Sequence, residues 1–189
     1  MAVLRQSALE LGELDPPLPF WAFAWPGGLG LARYLADHPA EVAGRRVVDV
    51  ASGSGLCAFA AMRAGAASVE AIDVDPFAEA AVTLNARANG VQLGFSRRDP
   101  LAETPPECDV ILAGDVSYEE TMAGRMFDWL RAAHEHGIRV LIGDPGRAYL
   151  PAGLERLADY RVTTSREIED AESKAVGVFT LPGPAHGRA

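Results

Sequence analysis

The sequence predicts an α/β fold: one doubly wound, seven-stranded sheet that ends in an antiparallel hairpin. Three observations indicate it. From residue 46 onward β-like apolar runs alternate with helical patterns, a glycine-rich turn follows the first run, and only a short polar link, residues 169–173, separates the last two runs. Alternating strands and helices form parallel sheets, whereas strands joined by so short a link pair antiparallel.

The first strand, residues 47–50, and a helix at 56–64 enclose the glycine turn. Gly53 and Gly55 allow the backbone to turn tightly and to approach a ligand closely. The second strand ends at Asp73, where a carboxylate accepts both hydroxyl protons of a ribose in dinucleotide-binding sheets. This stretch therefore predicts a site for a cofactor that contains a nucleoside.

The remaining elements follow in order along the chain. Helices are predicted at 30–36, 78–88 and 118–136, and strands at 91–96, 108–113, 138–143, 160–167 and 174–181. The length of 189 residues suits one domain, with a lead-in and helix at 1–44, a seven-strand core at 45–182 and a tail at 183–189. We therefore expect a Rossmann-like sheet without room for a second catalytic domain.

The charge of the chain argues against nucleic acid as a substrate. It has 17 basic and 26 acidic residues, a formal net charge of −9, and no run of Lys or Arg that would bind phosphates. An acidic surface favours basic segments of partner proteins, although it also serves solubility alone. The sequence has no signal peptide, transit peptide or membrane-spanning run, so a cytoplasmic location is expected.

Neither the cysteines nor the histidines predict a metal site. Cys57 and Cys108 lie in an apolar helix and an apolar strand, which is typical of buried, reduced thiols. His134 and His136 are two residues apart on a predicted helix, so their side chains point to different faces. We therefore expect no metal.

Two cofactors fit the glycine turn. Gly53 to Ala58 satisfy the G-x-G-x-x-A pattern of nicotinamide dinucleotide sites. Asp49 argues against that cofactor, because an acid next to the turn repels a diphosphate, whereas it suits the cationic amino and sulfonium groups of S-adenosyl-L-methionine. With D-V-A-S-G-S-G the sequence resembles the seven-β-strand S-adenosylmethionine-dependent methyltransferases, except that Ala51 stands where their first glycine is usual.

The fourth strand ends in Gly114-Asp115-Val116-Ser117-Tyr118, which in the fold it resembles lies beside the transferred methyl group. An apolar strand that ends in an acid and an aromatic favours a functional role, and a helix N-cap at Asp115 or Ser117 is compatible with it. Asp99 follows the third strand, where it either accepts the adenine amino group or starts a turn with Pro100.

The acceptor is not expected to be a nucleobase. Nucleobase-modifying members of the fold carry N/D-P-P-Y/F after the fourth strand, and this chain does not. Asp15-Pro16-Pro17-Leu18 resembles that motif, but the chain between it and the first strand is too short to hold half a sheet.

Aromatic residues are concentrated before Gly27-Gly28. Phe20 and Phe23 are expected to cover the core. Trp25, held by Pro26 and followed by flexible glycines, is expected to close over the cofactor.

Several segments together resemble a narrower group. They are F-x-W-P-G-G before the first strand, G-D-V-S-Y-E after the fourth and I-G-D-P-G-R after the fifth. Over residues 17–181 the chain resembles the protein-lysine methyltransferases whose fourth strand is followed by D-x-x-Y, and within them the electron-transfer-flavoprotein β-subunit lysine methyltransferases.

The resemblance implies a role for each matching residue. Asp115 and Tyr118 would form the D-x-x-Y pair at the acceptor lysine, and Trp25 would pack on S-adenosyl-L-methionine. The other cofactor-binding residues would be Asp49, Ala51, Ser52, Gly53, Gly55, Asp73, Asp99 and Gly114.

The implied partner is a protein that presents a lysine to a monomeric enzyme. The electron transfer flavoprotein β subunit is the first candidate, and a ribosomal protein or a small molecule is the alternative. Two other classes stay open: a nicotinamide-dependent oxidoreductase, which Asp49 disfavours, and a non-catalytic cofactor-binding protein, which the intact D-x-x-Y disfavours.

Lysine chemistry assigns the roles of the pair. A lysine has a pKa of about 10.4, so presenting the neutral amine at neutral pH costs about 4 to 5 kcal/mol. Desolvation in an aromatic slot lowers that pKa. Asp115 stabilises the ammonium instead, so we expect it to bind and orient the lysine, while Tyr118 offers a hydroxyl and a π face.

Overall fold

The structure, a computed structural model, describes residues 19–164, 169 and 171–183. Within these residues seven strands form one sheet in the order β3-β2-β1-β4-β5-β7-β6. The strands are β1 (Arg46–Val50), β2 (Ser68–Asp73), β3 (Gly94–Arg97), β4 (Val110–Gly114), β5 (Arg139–Asp144), β6 (Glu155–Thr163) and β7 (Ser173–Thr180). The helices are α1 (Pro26–Asp37), α2 (Leu56–Arg63), α3 (Ala78–Asn89) and α4 (Glu120–Glu135). The segment Asp15-Pro16-Pro17-Leu18 and the tail after residue 183 lie outside the described part.

The topology confirms the predicted fold class. Strands β1 to β5 pair in parallel, and β7 lies antiparallel between β5 and β6. Side chains of a strand point alternately to the two faces, so Val47 packs with helices α1 and α2 on one face, whereas Val48 packs with α4 on the other. The chain reverses its direction of winding between β1 and β4. The crevice at the carboxyl ends of these strands is where open α/β sheets bind ligands.

Three predicted elements differ from the structure by three residues or more. Helix α1 begins at Pro26, not at residue 30, and so includes the two glycines that were expected to be flexible. Strand β3 begins at Gly94, three residues later than predicted. Strand β6 spans Glu155–Thr163 where 160–167 was predicted, because its pairing with β7 runs from Glu155 opposite Thr180 to Thr163 opposite Ser173.

Cys57 and Cys108 are both buried and free, as predicted. Among the described residues, no cluster of His, Cys, Asp and Glu has the make-up of a metal site. In that part of the chain, none of the helices has the length and apolar character needed to cross a bilayer.

Candidate active site

A cavity of about 300 Å³ opens at the carboxyl ends of the central strands. It brings together most of the residues predicted from the sequence: Trp25, Ala51, Gly53, Asp73, Asp99, Gly114, Asp115 and Tyr118. A smaller cavity of about 40 Å³ adjoins it through Ala51, Gly53 and Asp115, and there Asp49 and Ser52 contribute to the lining. Gly55 lines neither cavity.

The turn after β1 depends on left-handed backbone conformations. Ala51, Gly53 and Gly55 have φ values of 51°, 51° and 83°. Gly55 is the N-cap of α2, which accounts for its presence without any contact to the cavity. Ala51 adopts a conformation that costs an L-residue roughly 1 kcal/mol, which is why glycine is usual at this position.

Asp49 is buried beneath this turn. Its Oδ2 accepts a hydrogen bond of 3.0 Å from the Ala58 N–H, in the first turn of α2. Burial raises the pKa of Asp49 to about 8; the Ala58 hydrogen bond counters the rise, and the negative charge of Asp73 adds to it. A carboxyl in this state favours a cationic ligand, whose charge would offset the loss of solvation.

Asp73 holds the turn from the end of β2. Its Oδ2 accepts from the Gly53 N–H at 2.7 Å, and its Oδ1 accepts from the Asp75 N–H at 2.9 Å. Each carboxylate oxygen retains a second lone pair that can accept from a further donor, and Asp73 lines the cavity. Two ribose hydroxyls are donors that match this arrangement.

Ser52 supports the same interpretation. Its Oγ is the single buried side-chain oxygen or nitrogen among the described residues that lacks a hydrogen-bond partner. Buried hydroxyls are normally hydrogen-bonded, so an unpartnered one beside the small cavity is available to a polar ligand group. Asp49, Ser52 and Asp73 together fit a cofactor with a cationic end and a ribose.

Asp99 takes part in local structure as well as in the cavity. Its Oδ1 accepts from the Leu101 N–H at 3.0 Å and so caps the short 3₁₀ helix Pro100–Ala102. Its Oδ2 lies 3.3 Å from Arg125 Nη2. The turn-starting interpretation is confirmed, and contact with adenine stays a prediction.

The carboxylate of Asp115 accepts three hydrogen bonds from two other segments of the chain. It has the left-handed φ of 57° and is buried. Oδ2 accepts from the Gly28 N–H at 2.8 Å, and Oδ1 accepts from Arg147 Nη2 at 2.7 Å and Nε at 3.1 Å. Burial raises its pKa to about 6, and Arg147 and the Gly28 N–H limit the rise.

Aromatic rings border the larger cavity next to this carboxylate. The Phe20 ring centroid lies 5.7 Å from that of Trp25 and 5.3 Å from that of Tyr118. The Trp25 indole donates to the Phe20 carbonyl at 2.8 Å, which fixes the ring beside the cavity. The expectation that Phe20 covers the core is wrong: it is 39% exposed and lines the cavity. Tyr118 is also exposed.

Sequence reasoning assigned no role to Arg147. Its guanidinium bridges Asp115 to Glu169, at 3.1 Å, and lies 5.8 Å from the Trp25 ring centroid. Asp144, buried at the end of β5, accepts from the Gly146 and Arg147 N–H groups at 2.7 Å and also from the Ser117 hydroxyl. The motif I-G-D-P-G-R was recognised, but its contact with Asp115 depends on the pairing of β4 with β5.

Comparison with known proteins decides the family. The electron transfer flavoprotein beta subunit lysine methyltransferase of Mus musculus is 44% identical over 131 residues, which is 68% of this chain and 51% of that protein. The homolog of that enzyme in Caenorhabditis elegans is 31% identical over 183 residues, 88% of this chain and 72% of that protein. The chain belongs to the electron transfer flavoprotein beta subunit lysine methyltransferase family.

Two further matches concern other methyltransferases. The family model for ribosomal protein L11 methyltransferase (PrmA) matches residues 35–115. The structure of magnesium protoporphyrin IX methyltransferase from Synechocystis with bound S-adenosylmethionine shares the fold, with a TM-score of 0.56 at 16% identity over 82% of this chain and 78% of that chain. The chain spans about half the length of the mouse relative.

Proposed function

We propose that the chain is an S-adenosyl-L-methionine-dependent protein-lysine N-methyltransferase whose first-choice substrate is the electron transfer flavoprotein β subunit. The observation that carries the proposal is the convergence of Phe20, Trp25, Tyr118 and Asp115 beside the glycine turn. Aromatic faces and a carboxylate are the groups that hold a lysine side chain and its ammonium. Family membership supports the same acceptor.

The cofactor would bind across the two cavities. Asp73 would hold the ribose hydroxyls and Asp49 would face the cationic amino end, with Ser52 as an additional hydrogen-bond donor. The remaining contacts would come from Trp25, Ala51, Gly53, Asp99 and Gly114, while Gly55 would act through the turn alone.

When bound, the cofactor would supply an electrophilic methyl group on a sulfonium, whose carbon–sulfur bond would break as the methyl carbon is transferred to the lysine nitrogen. The residues of this chain must therefore present an uncharged amine. Contact of the amine with the rings of Phe20, Trp25 and Tyr118 would displace water from it, which lowers its pKa. Asp115 orients the amine through Oδ2, and the proton that the lysine loses passes to water. Alignment of the amine with the methyl group supplies most of the acceleration.

A ribosomal protein is the second candidate substrate, because the L11 methyltransferase family model matches residues 35–115. A small-molecule acceptor, an oxidoreductase and a non-catalytic binding protein are less well supported. Asp49 is buried next to the turn that a dinucleotide diphosphate would occupy, which weighs against an oxidoreductase. We further propose a cytoplasmic monomer, with Cys57 and Cys108 as reduced thiols, that binds neither nucleic acid nor membranes.

Transfer of labelled methyl groups tests the proposal. The protein is incubated with methyl-labelled S-adenosylmethionine and either the electron transfer flavoprotein β subunit or cell lysate, and the products are digested and analysed by mass spectrometry. Methyl-lysine on the β subunit is expected. Label on a ribosomal protein alone would transfer the proposal to the second candidate, and label on free small molecules alone would overturn it. Calorimetry with NAD in place of S-adenosylmethionine tests the oxidoreductase alternative, for which no binding is expected.

A further inference from the structure

Arg147 is the positive group nearest to the carboxylate of the proposed acceptor site. Two of its guanidinium nitrogens lie 2.7 and 3.1 Å from Asp115 Oδ1, and its side chain lines the larger cavity. Arg147 Nη2 also donates to Glu169 Oε1 at 3.1 Å, and Glu169 Oε2 in turn lies 3.0 Å from Lys174 Nζ. Asp115 therefore does not face the cavity as an unpaired anion.

An unpaired carboxylate would hinder methyl transfer at neutral pH. A negative charge beside the acceptor amine stabilises its ammonium form, which has no lone pair for the methyl group. A positive charge at a similar distance has the opposite effect. Because Arg147 lies beside Asp115, an incoming lysine meets a nearly balanced charge pair, with an oxygen still available as a hydrogen-bond acceptor.

We propose that Arg147 is a positioning residue for the transfer reaction, which holds Asp115 in place and balances its charge so that the acceptor lysine reacts as the uncharged amine. This inference rests on the proposed lysine methyltransferase function and specifies how its acceptor site is tuned. Arg147 acts through Asp115 and through its own charge, and it takes no proton itself.

The other charged groups near the pair define what a substitution would change. Asp144 accepts from the Arg147 N–H and faces Asp115 from the end of β5. Burial raises the pKa of Tyr118; the negative charges of Asp73 and Glu119 add to the rise, and the positive charge of Arg147 counters it. Cys57 faces Asp115 from α2 and is uncharged, because burial raises the pKa of its thiol. Lys174 pairs with Glu169, and the remaining charged groups next to the pair are acids, so loss of Arg147 leaves the site negative.

Two substitutions with opposite predicted effects test the inference. Arg147→Met removes the positive charge and keeps much of the side-chain length. The pH at which methyl transfer to the electron transfer flavoprotein β subunit reaches its plateau should therefore rise by about one unit. At pH 7 the rate should fall approximately ten-fold, and it should largely recover at high pH. Glu169→Gln removes the second acid that Arg147 bridges, which leaves more of the positive charge to balance Asp115, so the plateau should be reached at a lower pH. Arg147→Lys restores a charge and should recover part of the profile.

Controls distinguish a failure of this inference from a variant that does not fold and from a failure of the proposed function. Arg131→Met removes the positive charge of an exposed pair with Asp128 and should leave the profile unchanged. Melting temperature and S-adenosylmethionine binding by calorimetry identify variants that fail to fold. If the rate of folded Arg147→Met falls by the same factor at every pH, the inference is overturned. The proposed function still stands in that case, provided that the wild-type enzyme forms methyl-lysine on the substrate. Absence of methyl-lysine with the wild type would overturn both.

Discussion

Asp115 and Gly28 are 87 residues apart in the chain, and the carboxylate of one accepts the N–H of the other at 2.8 Å. Helix α1 has no side-chain cap at its N-cap residue, Trp25, so Asp115 supplies the missing acceptor from the end of β4. The contact needs a glycine at position 27, where a Cβ would overlap the Gly143 carbonyl and lie 2.6 Å from Asp115 Oδ2. Three segments, after β4, after β5 and at the start of α1, thus meet at one carboxylate.

Asp115→Asn should destabilise the protein and slow methyl transfer. Asparagine tolerates the left-handed backbone at this position, so the change removes the charge with little added strain. Loss of the ion pair with Arg147 should lower the free energy of unfolding by about 2 kcal/mol, since Arg147 retains its second ion pair, with Glu169. Chemical denaturation measures this cost, with Asp109→Asn in the exposed pair with Arg46 as the control that should change much less. Full methyl transfer by the variant would exclude Asp115 from the acceptor site.

The buried carboxyl of Asp49 predicts an unusual pH dependence. Its pKa rises from 3.8 to about 8 on folding, so between these values the folded chain keeps a proton that the unfolded chain has lost. This group therefore makes stability fall as the pH rises through that window, and the melting temperature of the ligand-free protein should drop by several degrees from about pH 5 to about pH 8. Asp49→Asn should flatten this part of the curve. An identical slope in the variant would contradict the assignment.

Cofactor binding gives a second measurement on Asp49. Binding of a cationic ligand to the ionised carboxylate should release a proton below about pH 8, so the affinity for S-adenosylmethionine should rise with pH up to that value. Calorimetry in two buffers of different ionisation enthalpy counts the released proton. Asp49→Asn should release none.

Asp73→Asn should weaken cofactor binding by about ten- to a hundred-fold, since it replaces a charged acceptor of the ribose hydroxyls by a neutral one. The amide can still accept from the Gly53 N–H, which preserves the turn. A 2′-deoxyribose analogue of the cofactor provides the comparison. The wild type should prefer the ribose form, the variant should discriminate less, and equal discrimination by both would show that Asp73 does not contact the hydroxyl.

Ala51→Gly should stabilise the protein by up to about 1 kcal/mol, because glycine adopts the φ of 51° without the steric cost that alanine has. For a chain of this length the melting temperature should rise by about 2 to 4 °C. Gly53→Ala is the matched substitution in the opposite direction, at the same φ and with no atom closer than 3.7 Å to the added Cβ. Gly53→Ala should destabilise the protein. If both substitutions changed the melting temperature in the same direction, the strain argument would be contradicted.

The parts of the structure that the sequence predicted depend on local patterns. The buried strand at residues 47–50 and the acid at Asp73 follow from neighbouring residues, and both were located correctly. The start of α1 at Pro26 was missed because Pro-Gly-Gly has poor helix propensity and depends on a distant acceptor, Asp115. The contact between Asp115 and Arg147 was missed for the same reason: it arises from strand pairing, which periodicity does not encode.

The position of β7 has a consequence for synthesis of the chain. Residues 176–180 are buried, and the strand that holds them separates β5 from β6. Until Ser173–Thr180 leave the ribosome, the five parallel strands have an open edge at β5, and β6 has no partner in the sheet. The nascent protein must therefore keep a partly formed sheet from aggregating until the last strand is available, and a ribosome that stalls before residue 173 would release a product that is prone to associate with other chains.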